Sequence, residues 1–138
     1  MTGFYISTED NTVIRFRFYS GSAPFTSESF LKVLPFKRTF FHAKVSGHEI
    51  WTDNSPKLDI PQENCSVFAE PGEIAIGPIS PSRNKVAGLM GIFYGEGKLV
   101  DGANIFGKVF DEDILLLRQL GENIWKHGAQ DIRFEALP

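Results

Sequence analysis

The stretch Phe40-Phe41-His42-Ala43-Lys44-Val45-Ser46-Gly47-His48-Glu49-Ile50-Trp51-Thr52-Asp53 constrains the fold more than any other part of the chain. Two apolar-rich arms flank a Ser-Gly pair, and a two-residue loop between such arms is a short-range hairpin signal. With Ser46-Gly47 as the loop, Val45 stands opposite His48, Lys44 opposite Glu49, Ala43 opposite Ile50 and His42 opposite Trp51. Successive side chains on a strand point to opposite faces, so His42, Lys44, Glu49, Trp51 and Asp53 are expected on one side. Ala43, Val45, His48 and Ile50 take the other. The first face is polar and aromatic and suits a pocket wall; the second can serve a core.

Period-two alternation continues on both sides of this hairpin. Phe4-Tyr5-Ile6 and Val13–Tyr19 read as strands joined by Glu9-Asp10-Asn11, with Ile14, Phe16 and Phe18 on one face and Arg15 and Arg17 on the other. Ser66-Val67-Phe68, Glu73–Gly77, the apolar run Val86–Tyr94, Ile105–Val109 and Asp131–Leu137 are further strands. In the apolar run, Gly88 and Gly91 mark a close approach or a bulge. Gly95, Gly97 and Gly102 are expected to break the chain before Ile105, and no strand–glycine loop–helix order makes them a phosphate loop. Residues 54–64 and 78–85 are irregular, and loops of that length are functional or mobile. Only two segments read as helices. One runs near 26–34, with Thr26 as N-cap, Phe25 stapled onto Phe30 and Pro35 ending it. The other runs near 112–127, with Leu117, Leu120 and Ile124 as its buried stripe. About eight strands with two helices far apart in sequence suit a closed antiparallel β-barrel capped by a helix at each end.

The chain has 138 residues, which fits a single domain over 1–138 with one core. A net charge of -3 without a basic run excludes no fold but gives nucleic acid and anionic membrane surfaces nothing to recognise. No apolar run approaches the roughly 20 residues of a membrane span, and no signal peptide is visible. The single Cys65, read as a small buried residue, leaves no pair for an intrachain disulfide, which fits a reducing, cytoplasmic location.

Three segments in this order carry a resemblance. Ala23-Pro24-Phe25-Thr26 with Phe30-Leu31, His42-Ala43-Lys44-Val45 with Glu49-Ile50, and Asp101-Gly102-Ala103-Asn104-Ile105-Phe106-Gly107-Lys108-Val109 are similar to the first helix, central hairpin and late strand of the cyclophilins. Within that superfamily the chain resembles a small bacterial cyclophilin-like family of unknown function, family 3830. The resemblance implies a cyclophilin-like barrel, with a cleft beside the 40–53 hairpin. It also marks departures: Ala43 stands where cyclophilins carry their catalytic Arg, and Met90-Gly91-Ile92-Phe93 replaces a Gln-Phe-Phe segment. A prolyl isomerase needs a fixed donor at the twisted imide, and an alanine side chain donates nothing.

The expected site therefore has Trp51, Met90, Phe93 and Phe106 as apolar floor and His42, Glu49 and Asn104 as polar contacts. Arg83 is on the rim, and the 54–64 and 78–85 loops close the cleft. His42 and His48 invite a metal reading, but the register above points them to opposite faces, so no metal or other cofactor is expected. Three functions follow. The first is binding of a small polar molecule or short peptide without prolyl isomerisation. The second is an enzyme acting on a small amide or cyclic imide, with Glu49 or His42 as general base. The third is a scaffold or subunit of a larger complex, homo-oligomers included.

Overall fold

The alternation of Ile14, Phe16 and Phe18 is realised in β2 (Val13–Phe18), which pairs antiparallel with β1 (Gly3–Ser7) and turns those three side chains inward. The computed structural model describes residues 3–43, 46–79 and 84–138. From β1 the pairing runs on through β8 (Gln130–Ala136), β3 (Phe36–Ala43), β4 (Gly47–Thr52) and β7 (Met90–Val109). The ring closes where Phe16, Arg17 and Phe18 of β2 pair with Val109, Lys108 and Gly107 of β7.

The 20-residue β7 occupies two places in that ring. Its start pairs with β4 and its end with β2, while β6 (Glu73–Ile76) fits between them, Ile74 standing opposite both Ile92 and Gly107. The six strands β1–β4, β6 and β8, with the two ends of β7, give the barrel eight positions, all antiparallel to their hydrogen-bonded neighbours. The fold is thus the closed, mainly β, antiparallel barrel that the alternation predicts, and it is cyclophilin-like, as the resemblance implies. β5 (Cys65–Ala69) stands off the ring, paired with the middle of β7. Cys65 is exposed there rather than buried.

The expected break at Gly95, Gly97 and Gly102 does not occur, because glycine serves close approach in this strand. A Cβ on Gly97 would sit 2.4 Å from the Phe93 ring and 2.7 Å from the Ser46 carbonyl oxygen.

α1 (Pro24–Val33) and α2 (Ile114–His127) are the two helices among the described residues. α1 starts two residues earlier than expected, with Pro24 at its first position, where a missing N–H costs nothing. Thr26 is therefore inside the helix and fully buried, and its N–H donates to the Glu63 carboxylate at 2.5 Å. Phe25 is 62% exposed, so it does not staple onto Phe30. Asp113, at the start of α2, turns its carboxylate back to the Arg15 N–H and guanidinium at 2.8–3.0 Å, which holds its carboxyl below the usual range. None of the described helices is long and apolar enough to cross a membrane.

Phenylalanine fills the barrel. Phe4, Phe16, Phe30, Phe40, Phe106 and Phe134 are fully buried, with Phe4 and Phe16 stacked at 4.9 Å and Phe30 against Phe106 at 4.9 Å. Met90, 1% exposed, belongs to the same core. Met90 and Phe106 are therefore barrel interior and not the floor of an outside cleft.

Candidate functional site

Gly47 is the first residue of β4, paired with Gly97, and is not half of a two-residue loop. The hairpin register is accordingly one residue away from that expected: Ala43 pairs with Glu49, His42 with Ile50 and Phe41 with Trp51. A one-residue slip exchanges the faces of one arm relative to the other. Glu49 and Trp51 stay together and are joined by Phe41 and Ala43, whereas His42 moves to the side of Ile50.

On the Glu49 side, outside the barrel, lies a cavity of about 260 Å³. β4 supplies Glu49 and Trp51, β6 supplies Ala75, and β7 supplies Gly91, Leu99, Val100 and Ala103. Val86 and Leu89, from the segment before β7, complete the apolar lining. Phe93, fully buried and paired with Glu49, packs among Ala75, Val86 and Ala103 behind the cavity wall. Trp51 is half-buried, with its ring 5.9 Å from that of Phe41.

Glu49 is the chemical centre of this cavity. It is 5% exposed, and none of the ion pairs among the described residues includes it. The Ser46 hydroxyl donates to Glu49 Oε1. Oε2 lies over Gly91, where a Cβ would come within 1.8 Å of it, so only glycine there leaves room for the carboxyl. Burial disfavours the charged form and pushes the pKa up from 4.5 to about 7, against the smaller opposing pull of the Ser46 hydrogen bond. Such a carboxyl can accept or give up a proton near neutral pH.

The remaining expected contacts go elsewhere. His42 borders the cavity, yet its Nε2 shares a 2.5 Å hydrogen bond with Tyr94 Oη, and its ring is 4.7 Å from that of Trp125 on α2. His48 also meets Tyr94, ring to ring at 5.3 Å, so the two histidines share a face, contrary to the expected register. Among the described residues no group of three or more His, Cys, Asp or Glu side chains is arranged to hold a metal ion.

Asn104 is fully buried, and its amide is committed to the protein. It donates to Thr26 Oγ1 at 3.1 Å and the Pro61 carbonyl at 2.8 Å, and accepts from the Glu63 N–H at 3.2 Å. It ties the 54–64 loop to α1, and that loop sends Leu58 and Ile60 into the barrel core instead of closing the cavity. Arg83 and Lys44 lie outside the described residues, as does the middle of the 78–85 loop. Ser46, read from the sequence only as a turn residue, joins the site through Glu49, as Ala75, Val86, Leu89, Leu99, Val100 and Ala103, not expected there, join it through the cavity lining. The only signal for Ser46 was its place three residues before a carboxylate, across a turn.

The model of a family described as protein of unknown function (DUF3830) matches residues 7–136, and the chain belongs to that family. No curated protein matches it. Among solved structures, McbB in complex with tryptophan superposes with a TM-score of 0.76 at 18% identity, over 96% of this chain. The chain spans only 44% of McbB. The hypothetical protein AF2241 from Archaeoglobus fulgidus gives a TM-score of 0.65 at 16% identity, covering 99% of this chain and 95% of that one. A cyclophilin-type peptidyl-prolyl cis-trans isomerase from Cryptosporidium parvum, solved in the presence of the dipeptide Ala-Pro, gives 0.52 at 18% identity, covering 85% and 84%. These likenesses establish a shared fold.

Proposed function

We propose that this member of the DUF3830 family binds a small molecule in the cavity beside β4, with Glu49 as polar anchor, and does not catalyse prolyl isomerisation. The carrying observation is a carboxyl, 5% exposed, that lines a cavity otherwise walled mostly by apolar side chains. Burying a carboxyl without a counter-charge is costly, and a fold selected for stability alone has no use for one. The lining also revises the expected ligand. With His42 and Asn104 engaged elsewhere, a mostly apolar body with one polar group fits better than a small polar molecule.

What surrounds the cavity supports the expectation that isomerase activity is lacking. Ala43 lies at its edge at the position of the cyclophilin catalytic Arg and has nothing to donate to a twisted imide. Arg38, on the same strand, spends its guanidinium on the carbonyls of Asn54 and Lys37 at 2.6 and 2.9 Å. Small-ligand binding gains support from the structures that share the fold, since McbB was solved in complex with tryptophan and the Cryptosporidium parvum cyclophilin in the presence of Ala-Pro.

Chemical-shift mapping with tryptophan, Ala-Pro and a fragment set tests the reading, alongside a protease-coupled tetrapeptide assay. Shifts should concentrate on 46–51, 75–77 and 86–91, with no acceleration of isomerisation. Shifts confined to the α2 side would overturn the site, and robust isomerisation blocked by a cavity ligand would mean another cation has replaced the Arg.

A second reading makes the same carboxyl a general base on a small amide or cyclic imide. It is favoured by the Glu49 pKa of about 7. His42 drops out of that role because its Nε2 is held by Tyr94. Turnover within an amide and imide panel, rising with pH through about 7 and lost in Glu49→Gln, would establish this reading over simple binding.

A further inference from the structure

Accepting the cavity as the binding site, we infer that it selects an apolar, ring-bearing ligand with an ammonium group and rejects the same body bearing a carboxylate. Glu49 is the one Asp, Glu, Lys or Arg among the described lining residues. Its Oε1 accepts from the Ser46 hydroxyl, whereas Oε2, seated in the room that Gly91 leaves, accepts none of the hydrogen bonds among the described residues and is the oxygen left for a ligand in the cavity that Glu49 lines. An ammonium placed against Oε2 gives the buried carboxylate the counter-charge that none of the described ion pairs supplies, in surroundings that strengthen the attraction. A ligand carboxylate would meet a like charge in the same apolar setting, and a hydroxyl would leave the charge unpaired.

The body of the ligand is set by the remaining walls. Trp51 offers a broad face, and Leu89, Leu99 and Val100 are flexible aliphatic neighbours with no polar atoms on their side chains. A volume of about 260 Å³ suits one or two rings and leaves little space for a peptide of several residues.

Three probes with a common phenylethyl body isolate the charge: phenethylamine, phenethyl alcohol and hydrocinnamate, each titrated by calorimetry and chemical-shift mapping at pH 6 and pH 8. At pH 8 the amine should bind about tenfold or more tighter than the alcohol, with hydrocinnamate weakest. The amine stays charged at both pH values while Glu49 gains a proton on acidification, so its advantage should shrink at pH 6. Glu49→Gln should remove the advantage of the amine over the alcohol, with an amide spectrum like the parent's reporting an intact fold. Gly91→Ala, whose Cβ would displace Oε2, should remove it too.

Equal affinity for the three probes, or tighter binding of hydrocinnamate, overturns the charge selection and leaves the cavity as a site. Tighter alcohol binding at pH 6 than amine binding at pH 8 also overturns it, because Glu49 would then act as proton donor. If no probe shifts the signals of Trp51 or Gly91, the binding-site reading beneath it fails.

Discussion

One wall of the molecule, made by β4 and the start of β7, has two faces of opposite chemistry. Inward, Ile50, Met90 and Ile92 are at most 1% exposed and join a core of phenylalanine and aliphatic side chains. Outward, on the intervening positions, stand Glu49, Trp51, Gly91 and Phe93, with a carboxyl as thoroughly enclosed as some of the core residues. The same backbone holds both sets, so any difference between them reflects side chains. The inner face lowers the free energy of folding with every methylene removed from water. The outer face takes a charged group out of water and leaves a cavity beside it, both of which work against folding. This contrast is the reason for proposing the outer face, and not the inner one, as the binding face.

The comparison breaks most visibly by truncating one aromatic in the core that the inner face joins and one on the outer face. Phe30→Ala removes a ring that contacts Phe4, Phe36 and Phe106, and should cost about 3–5 kcal/mol in urea unfolding. Trp51→Ala, although larger in volume lost, removes a half-buried ring from the rim of an existing cavity. It should cost well under half as much while weakening ligand binding strongly. If Trp51→Ala destabilises as much as Phe30→Ala, the two faces are energetically alike and Trp51 is core.

The next effect is pH dependence. A carboxyl raised from 4.5 to about 7 on folding favours the folded state most when protonated. Its contribution is complete below about pH 4.5, declines as pH rises, and is gone above about pH 7. The size over that window is about 3 kcal/mol. Glu49→Gln keeps an acceptor for Ser46 and cannot ionise, so its stability should lack this decline, and at pH 8 the variant should be more stable than the parent. Parallel stability curves for the two proteins between pH 4 and pH 8 would show that Glu49 is not buried in an apolar setting.

The barrel was legible in the sequence because period-two alternation and two isolated helical segments leave few alternatives, and the residues matching cyclophilins narrowed them further. The site was legible only in part, for reasons that particular residues show. Placing the turn on Ser46-Gly47 moved the register by one, and so put His42 beside Glu49 instead of beside Tyr94. Nothing local distinguishes the two registers. The pairing of Gly47 with Gly97, set by a strand 50 residues away, decides it. The floor was a parity error: Met90 and Phe93 are an odd number of residues apart on one strand and therefore face opposite ways. Asn104 could not have been assigned from sequence, since its partners Thr26, Pro61 and Glu63 meet only in the folded chain. Gly91, by contrast, was readable as a point of close approach, and what approaches it is the Glu49 carboxyl.

The smallest expected effect is the sharpest test of how the outer face is tuned. Ser46 gives Glu49 its hydrogen bond within the protein, and that bond favours the ionised form, opposing the larger effect of burial. Ser46→Ala removes the donor and nothing else that touches the core. A hydrogen bond to a charged acceptor contributes about 1.5–3 kcal/mol, and one to its neutral acid less. The variant should therefore differ little from the parent near pH 4, where Glu49 is protonated in both, and fall below it by about 1 kcal/mol at pH 8. Its stability should continue to decline with pH beyond about 7, where that of the parent has levelled off, because the carboxyl must now ionise without the hydroxyl. This is the opposite direction from Glu49→Gln, which removes the decline altogether. A Ser46→Ala curve that levels off at lower pH than the parent's would mean that the hydroxyl favours the protonated acid, reversing the sign assigned to it here.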